Sequence, residues 1–327
     1  MRLLERHRCL IVEGLRDALA GETSLRRILR VHVGIEDDQG QPVDRLGKLL
    51  RPALVLFVAD ELGADPKRSS HAAVGLELIH NFSLIHDDIQ DRDRTRRGRP
   101  TVWVRHGVPE AINAGDLMHA IAVSTALKHS PDAAGLLLQA TDTMIEGQSL
   151  DLDFERRPVD IDEYLTMIDR KTGALLRCAF ELGGLCAGVE ADVREKLRRL
   201  GHEIGRAFQI HDDLLGIWGD GDVVGKPQGS DIRRRKKSFP VAVGFERADG
   251  ADRERLERTY AGSDDVGDDV VDWVVDLLGR LGVRDEGERR VRGHLDAARA
   301  GLQEIPFSDE GRAQMNELIE YLARREK

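Results

Sequence analysis

Residues 82–91 read FSLIHDDIQD, an apolar run that ends in three aspartates. If this stretch is helical, Asp87 and Asp91 lie four residues apart on one face, and Asp88 points about 100° away. Stacked carboxylates repel one another unless a cation bridges them. Mg²⁺ needs only one or two carboxylates and takes its other ligands from water and phosphate oxygens. The stretch therefore indicates a helix end that binds a metal-chelated polyphosphate.

A second acidic pair repeats this pattern. The tetrapeptide IHDD occurs at residues 85–88 and again at 210–213, each time after an apolar stretch and before a charged loop. Chance is the alternative explanation, because four matched residues are few. The second copy lacks a facing carboxylate, since Gly216 occupies the position where one would stand. We expect Asp220 or Asp231, in the loop that follows, to supply it.

The rest of the chain predicts an all-α protein. Aromatic residues make up only 4% of the sequence, and apolar residues recur at intervals of three and four, which is the amphipathic helix pattern. No linker rich in Ser or Pro divides residues 1–327, so one domain is expected. The predicted helices are 5–20, 45–63, 66–91, 108–129, 131–154, 160–188, 190–218, 236–249, 252–261, 264–281, 286–304 and 308–325.

Composition excludes several classes of protein. With 49 Lys and Arg against 59 Asp and Glu, the net charge of −10 argues against a general nucleic-acid binder. Three cysteines without a CxxC pair suggest neither a disulfide framework nor a thiolate zinc site, and a reduced cytoplasm fits best. The sequence also lacks an apolar run long enough to cross a bilayer and a signal-peptide pattern at its start.

Basic clusters accompany the acidic pairs. Arg binds phosphate oxygens through a bidentate fork, and Lys supplies a mobile point charge. Taken singly, each cluster is more often a solvated face. An acidic protein that gathers cations beside carboxylates nevertheless predicts a polyphosphate ligand. The clusters are GKLLRP at 47–52, RRGRPT at 96–101, KTG at 171–173, and Lys226 together with residues 233–237.

Together, the motifs resemble those of the trans-isoprenyl diphosphate synthases, the polyprenyl synthetase family. The match covers residues 45 to 240, and its pattern is most similar to that of geranylgeranyl diphosphate synthases. The resemblance implies a single-domain bundle of about 10–13 helices around a deep central cavity, usually in a homodimer. The motifs, in order, are GKxxRP, ExxH, SLIHDDxxD, RRGxPT, AGD, EGQ, KTG, FQIxDD and GK…SD…K…P.

The family resemblance also assigns roles by position. It implies that Mg²⁺, in three ions, is held on an allylic diphosphate by the aspartates Asp87, Asp88, Asp91 and Asp212. The same diphosphate would be bound by Arg96, Lys171, Lys226 and Lys236. The second substrate, isopentenyl diphosphate, would be bound by Lys48, Arg51, His80 and Arg97. Thr172 and Gln209 would line the reaction centre.

Product length is the finer expectation. Phe82 lies five residues before Asp87, roughly 7.5 Å along the helix. In the family a bulky aromatic near this position closes the floor of the cavity, so Phe82 and the adjacent Ser83 predict a C20 product. The alternative for Phe82 is an ordinary core residue.

Three other functions remain open at this stage. The first is a synthase that makes the C15 product, farnesyl diphosphate. The second is a class I terpene cyclase, which would have no use for the basic set that includes Lys48 and Arg51. The third is an inactive regulatory subunit, for which the altered second motif is the only indication.

Overall fold

The computed structural model describes residues 1–219, 229–262 and 266–323. Its helices are α1 Arg2–Glu5, α2 Arg8–Ala18, α3 Ser24–Val33, α4 Leu50–Glu61, α5 Pro66–Gln90, α6 Val102–His106, α7 Val108–Leu127, α8 Pro131–Phe154, α9 Ile161–Lys171, α10 Gly173–Cys186, α11 Ala191–Trp218, α12 Ser230–Arg233, α13 Phe239–Arg247, α14 Gly250–Ala261, α15 Asp268–Arg280, α16 Val283–Leu302 and α17 Asp309–Ala323. Strands β1 Thr95–Arg96 and β2 Arg99–Pro100 form one antiparallel hairpin.

The predicted all-α fold is confirmed, with more helices in the described residues than the sequence predicted. Helix α3 was missed because residues 20–45 are rich in charge, although Thr23 caps its start and Gly34 ends it in the left-handed conformation. The predicted helix 160–188 is two helices, because α9 ends at Thr172 and α10 begins directly after it. The prediction of a single domain stays a prediction.

Local signals fix the starts of the helices that carry the motifs. The Asp65 side chain accepts a hydrogen bond from the backbone N–H of Lys67 at the start of α5, and Pro66 occupies the first helical position. Asp160 and Glu163 form a capping box at the start of α9. These caps fix the first turn of each helix, and with it the direction of every later side chain on that helix.

The first compact unit comprises residues 1–141, 178–198 and 306–314. Helix α5 packs along α4 and α7 within it. All residues of α4 from Pro52 to Ala59 are buried, so this helix is apolar around its whole circumference. The aspartate end of α5 is therefore held by helices in the core of the unit.

The second compact unit comprises residues 142–177, 199–305 and 315–327. Helix α13 is the buried central helix of this unit, as α4 is of the first. Every residue from Phe239 to Phe245 is buried. It packs against α9 and α16, and α15 packs against α16. No helix in the described part of the chain is both long and apolar enough to span a membrane.

Candidate active site

The first unit places the predicted aspartates at the end of α5. Asp88 is 1% exposed, whereas Asp91 is exposed. The Asp88 Oδ1 atom accepts a hydrogen bond of 2.8 Å from Arg96 Nε, and Arg96 Nη2 lies 2.7 Å away. Burial nevertheless raises the pKa of Asp88 above its ordinary value, because desolvation outweighs the pairing with Arg96. Two residues predicted to bind one ligand are thus in direct contact.

A hairpin turn carries the next two predicted residues. Arg97 and Gly98, at its centre, have φ angles of 51° and 71°, the values of a type I′ turn. Arg97 takes this conformation at a steric cost that glycine would not incur. A Cβ atom on Gly47 would lie 2.7 Å from Arg97 Nη2, so the guanidinium lies directly over the backbone beside Lys48. The GK and RRG motifs therefore meet in the first unit.

Two polar side chains of α5, those of Glu77 and Asn81, are buried next to one another. Glu77 is 5% exposed, and the Asn81 side chain donates to its carboxylate over 3.0 Å and to its carbonyl over 2.8 Å. Burial raises the pKa of Glu77, and the charge of Arg51 partly opposes that shift. Burial, together with the charges of Arg51 and Arg97, holds the pKa of His80 well below its usual range. His80 is therefore neutral at pH 7 and can donate only one hydrogen bond to an anion.

A second histidine, His32, gives a pH prediction. The Nε2 atom of His32 is buried without a hydrogen-bond partner, and burial, together with Arg96, Arg97 and Arg99, lowers the pKa to about 3. The unfolded chain binds this proton near pH 6.5, so the stability from neutral His32 is complete above that pH and is lost as the pH falls towards 3. Between pH 7 and pH 5 this residue should reduce the free energy of unfolding by about 2 kcal/mol.

Urea unfolding of the wild type and His32→Gln at pH 5.0 and 7.0 measures this effect. The free energy of unfolding of the wild type should fall between pH 7.0 and 5.0 by about 2 kcal/mol more than that of the variant. As a control, the two proteins should show the same change in the free energy of unfolding between pH 7.0 and 8.0, because His32 is neutral in both the folded and the unfolded chain there. Equal pH dependences in the wild type and the variant would show that His32 takes up its proton normally in the folded state.

The second unit gathers its predicted residues around Asp213, which is 1% exposed. Its carboxylate accepts four hydrogen bonds and so has little capacity left for a metal ion. The donors are Tyr164 Oη at 2.5 Å, Phe239 N at 2.8 Å, Lys236 Nζ at 2.9 Å and Gln209 Nε2 at 3.0 Å.

Gln209 is held at both ends of its amide. Its carbonyl oxygen accepts a hydrogen bond of 2.8 Å from the Thr172 hydroxyl, and its amide group donates to Asp213. Burial, then the charge of Asp213, raises the pKa of Tyr164 well above its usual range, so the phenol remains a donor. Burial alone would lower the pKa of Lys236, but the charges of Asp213 and Asp231 outweigh it and raise that pKa. Lys236 is therefore positively charged at every pH of interest.

The KTG segment lies where two helices approach closely. A Cβ atom on Gly147 of α8 would lie 2.2 Å from the backbone nitrogen of Lys171. Lys171 Nζ forms an ion pair with Asp151, one helical turn further along α8. The EGQ motif is thus explained by the need for a glycine where α8 passes the break between α9 and α10.

Gly147→Ala should therefore displace Lys171 and Thr172. The added methyl group meets a backbone that cannot move aside, and overpacking of this kind costs about 1–3 kcal/mol. Urea unfolding should show that loss, and turnover should fall because Thr172 no longer positions Gln209. Gly135→Ala on the same helix is the control, since its Cβ would meet nothing within 4 Å. If both variants are equally stable, the close approach is not a constraint.

Backbone strain coincides with the predicted residues. Four non-glycine residues in the described ranges have positive φ angles: Leu49, Arg92, Arg97 and Arg235. Arg97 is itself a predicted site residue. The other three are direct neighbours in sequence of the predicted site residues Lys48, Asp91 and Lys236. Strain of this type costs about 1–3 kcal/mol per residue and concentrates at binding sites, where it holds side chains in place.

The donor chemistry suits Mg²⁺. Within residues 1–219, 229–262 and 266–323 no three His, Cys, Asp or Glu side chains lie close enough together to enclose a metal ion. Asp88 Oδ2, however, is buried and has no hydrogen-bond partner in the described structure, which leaves an acceptor for a cation. Carboxylates that offer one or two oxygens per ion fit a cation whose remaining ligands are phosphate oxygens and water.

The structure thus brings the predicted residues together in two sets. The first unit joins the aspartates of α5 with the hairpin and the GK segment, and the second joins Thr172, Gln209 and Lys236. Lys226 and Asp220 lie outside the described residues. The roles of the individual residues stay predictions. Sequence reasoning did not assign Tyr164 or Asp151, although Tyr164 lies two helical turns before Lys171 on the same face of α9.

Comparison with known proteins decides the family. The Polyprenyl synthetase family profile matches residues 40–278. The chain belongs to the polyprenyl synthetase family. It is 40% identical over 316 residues to the (2E,6E)-farnesyl diphosphate synthase of Mycobacterium tuberculosis, a match that covers 92% of this chain and 86% of the relative. The geranylgeranyl diphosphate synthase of the same organism is 42% identical over 213 residues, which are 63% of this chain and 61% of that protein.

A solved structure supports the same conclusion. The crystal structure of the polyprenyl synthetase from Streptomyces coelicolor A3(2) superimposes with a TM-score of 0.90 and 35% identity, covering 98% of each chain. The prediction of a short-chain trans-prenyl diphosphate synthase, a transferase, is confirmed. Because the two Mycobacterium relatives are named for C15 and C20 products, membership of the polyprenyl synthetase family leaves the product length open.

Proposed function

We propose that this polyprenyl synthetase makes geranylgeranyl diphosphate by Mg²⁺-dependent, head-to-tail condensation of an allylic diphosphate with isopentenyl diphosphate. The observation that carries the C20 assignment is the position of Phe82. It is 7% exposed on α5, and its ring packs against those of His86 and His119 at centroid distances of 5.0 and 5.2 Å. A large, fixed ring five residues before Asp87 is suited to stopping chain growth.

The proposed binding of the two substrates follows from charge. The allylic diphosphate is assigned to Arg96, Lys171, Lys226 and Lys236, and isopentenyl diphosphate to Lys48, Arg51, His80 and Arg97. Neutral His80 is suited to donating one hydrogen bond, while Arg51 and Arg97 supply the positive charge. Holding both substrates in place removes much of the entropic barrier to their reaction.

In the proposed reaction the C1–O bond of the allylic substrate breaks, and the isopentenyl double bond attacks C1. Three Mg²⁺ ions, held by Asp87, Asp88, Asp91 and Asp212, would neutralise the departing diphosphate. Lys171 and Lys236 add positive charge where negative charge develops on the leaving oxygen. Gln209, fixed by Thr172 and Asp213, lines the reaction centre. A proton is then lost from the condensed product, and the released diphosphate is its proposed acceptor.

The product assay tests this proposal directly. Purified protein is incubated with Mg²⁺, isopentenyl diphosphate and, in separate reactions, dimethylallyl, geranyl or farnesyl diphosphate, and the products are separated by chromatography. We expect a C20 diphosphate as the longest main product from all three. Accumulation of C15, without extension of added farnesyl diphosphate, would instead favour a farnesyl diphosphate synthase, the product named for the 40% identical relative.

We also propose that the protein is a homodimer. Four large apolar side chains on α7 and α8 are 41–51% exposed in the first unit: Val108, Ile112, Leu127 and Leu138. Large apolar side chains that a single chain leaves exposed are typical of surfaces that a second copy covers. Sedimentation equilibrium of the protein used in the product assay should give twice the chain mass of 36.5 kDa.

A further inference from the structure

The hairpin that carries Arg96 and Arg97 has few means of holding its own shape. Its two strands have two residues each, and Arg97 at the turn is exposed and has a positive φ angle of 51°. An isolated two-stranded hairpin is at best marginally stable in water, and the left-handed arginine adds strain. The positions of these two guanidinium groups therefore depend on contacts at the base of the hairpin.

Asp93 closes the base of the hairpin through its backbone. Its carbonyl oxygen accepts two hydrogen bonds of 2.8 Å, one from the Thr101 hydroxyl and one from the indole Nε1 of Trp103. Both lone pairs of this oxygen are thus used. The backbone N–H of Asp93 donates to the carbonyl of Asp88 over 2.9 Å. The segment that enters the hairpin is thereby bonded both to α5 and to the segment that leaves the hairpin.

Trp103 links this base to the rest of the first unit. It lies in α6, which packs against α5 and α7. The Arg94 guanidinium lies over the Trp103 ring, with its central carbon 5.8 Å from the ring centroid. Thr101, directly before α6, is 3% exposed. The indole therefore contacts the hairpin base in two ways, through its N–H group and through its face.

The link reaches the predicted diphosphate-binding groups through Asp88. The carbonyl of Asp88 accepts from Asp93, and its carboxylate accepts from Arg96. A shift of Asp93 therefore changes where Arg96 and the adjacent Arg97 are presented. When such groups are in place before a ligand arrives, binding does not have to order them, and the affinity is higher.

We propose that Trp103 is a positioning residue for substrate binding. Its indole N–H fixes the hairpin through the Asp93 carbonyl, so that Arg96 and Arg97 are in place when the two diphosphates bind. The inference rests on the proposed function only for the assignment of Arg96 to the allylic diphosphate and of Arg97 to isopentenyl diphosphate.

Substitutions at Trp103 test the inference. Trp103→Phe keeps an aromatic ring and removes the N–H donor. Trp103→His restores a donor, because imidazole superimposes on the five-membered ring of indole with Nε2 in the place of Nε1. Trp273→Phe is the matched control, since Trp273 stacks on Arg255, which is not a predicted site residue, at 4.1 Å. The probe is inorganic pyrophosphate with Mg²⁺, titrated calorimetrically, and steady-state kinetics give KM and kcat for both substrates.

Trp103→Phe should weaken pyrophosphate binding about 3- to 10-fold, the effect of losing one hydrogen bond of ordinary net strength. KM for both substrates should rise by a similar factor while kcat changes by less than about two-fold, because the same binding is lost from the ground state and the transition state. Trp103→His and Trp273→Phe should both bind pyrophosphate within about two-fold of the wild type.

Unchanged pyrophosphate affinity and KM in Trp103→Phe would overturn the inference, even if thermal unfolding showed a loss of stability, because Trp103 would then be a packing residue. A Trp103→His variant no better than Trp103→Phe would overturn it too. If Trp103→Phe does not fold, Thr101→Val and Thr101→Ser repeat the test on the second hydrogen bond to the same carbonyl. A wild type that makes no prenyl diphosphate, yet binds pyrophosphate in a manner that depends on Trp103, would refute the proposed function and leave this inference intact.

Discussion

Asp213→Ala should cost far more stability than Asp212→Ala, although the two residues are neighbours in one motif. Removing the Asp213 carboxylate leaves Tyr164, Phe239 N and Lys236 without their acceptor in a buried place. Breaking a buried ion pair from one side typically costs about 3–5 kcal/mol. Asp212 is exposed, so its substitution should change the free energy of unfolding by no more than about 0.5 kcal/mol.

Turnover, unlike stability, should fall in both variants. Asp213→Ala releases Lys236 and Gln209, and the loss of one positioned group at a reaction centre typically lowers kcat about 100- to 1000-fold. Asp212→Ala should lower turnover to a similar degree while the fold is retained, because its proposed role is metal binding alone. Urea unfolding and steady-state kinetics measure both quantities. Equal stability losses in the two variants would show that the hydrogen bonds to Asp213 do not support the fold.

Phe82→Ala should lengthen the product. Removing the ring opens space beside His86 and His119, five residues below the first aspartate, and a C20 chain should then accept at least one further isopentenyl unit. The variant should also lose about 3–5 kcal/mol of stability, as expected for truncation of a buried phenylalanine. Chromatography of the products from farnesyl diphosphate measures the change in length.

The matched control is Phe57→Ala, which removes the same atoms elsewhere in the first unit. Phe57 is fully buried and packs against Phe307 at a centroid distance of 5.7 Å. The Phe57→Ala variant should lose about as much stability as Phe82→Ala but should make the same products as the wild type. If both variants give the wild-type products, Phe82 is a core residue and the product length is set elsewhere.

The sequence was most informative where the signal is local. Apolar residues at intervals of three and four predicted helices α5 and α7 closely, because a helix face is defined by neighbours within a few residues. It was less informative at α3, where the charged residues obscured the pattern, and at Thr172, where the break between α9 and α10 depends on the approach of α8. Gly147 shows why the sequence carried no signal there. It closely approaches the backbone of Lys171, and the two residues are far apart in the chain.

By itself, the sequence determined the all-α class, the polyprenyl synthetase motifs and the residue types suited to Mg²⁺ and diphosphate. These follow from short-range periodicity and from the chemistry of single side chains. Only the tertiary structure decided that Asp213 is an acceptor shared by Tyr164, Lys236 and Gln209. It also decided that Asp231 Oδ2 lies only 2.4 Å from where a Cβ atom on Gly216 would be. Burial and hydrogen bonding between distant segments produce both results, and such contacts exist only once the chain has folded.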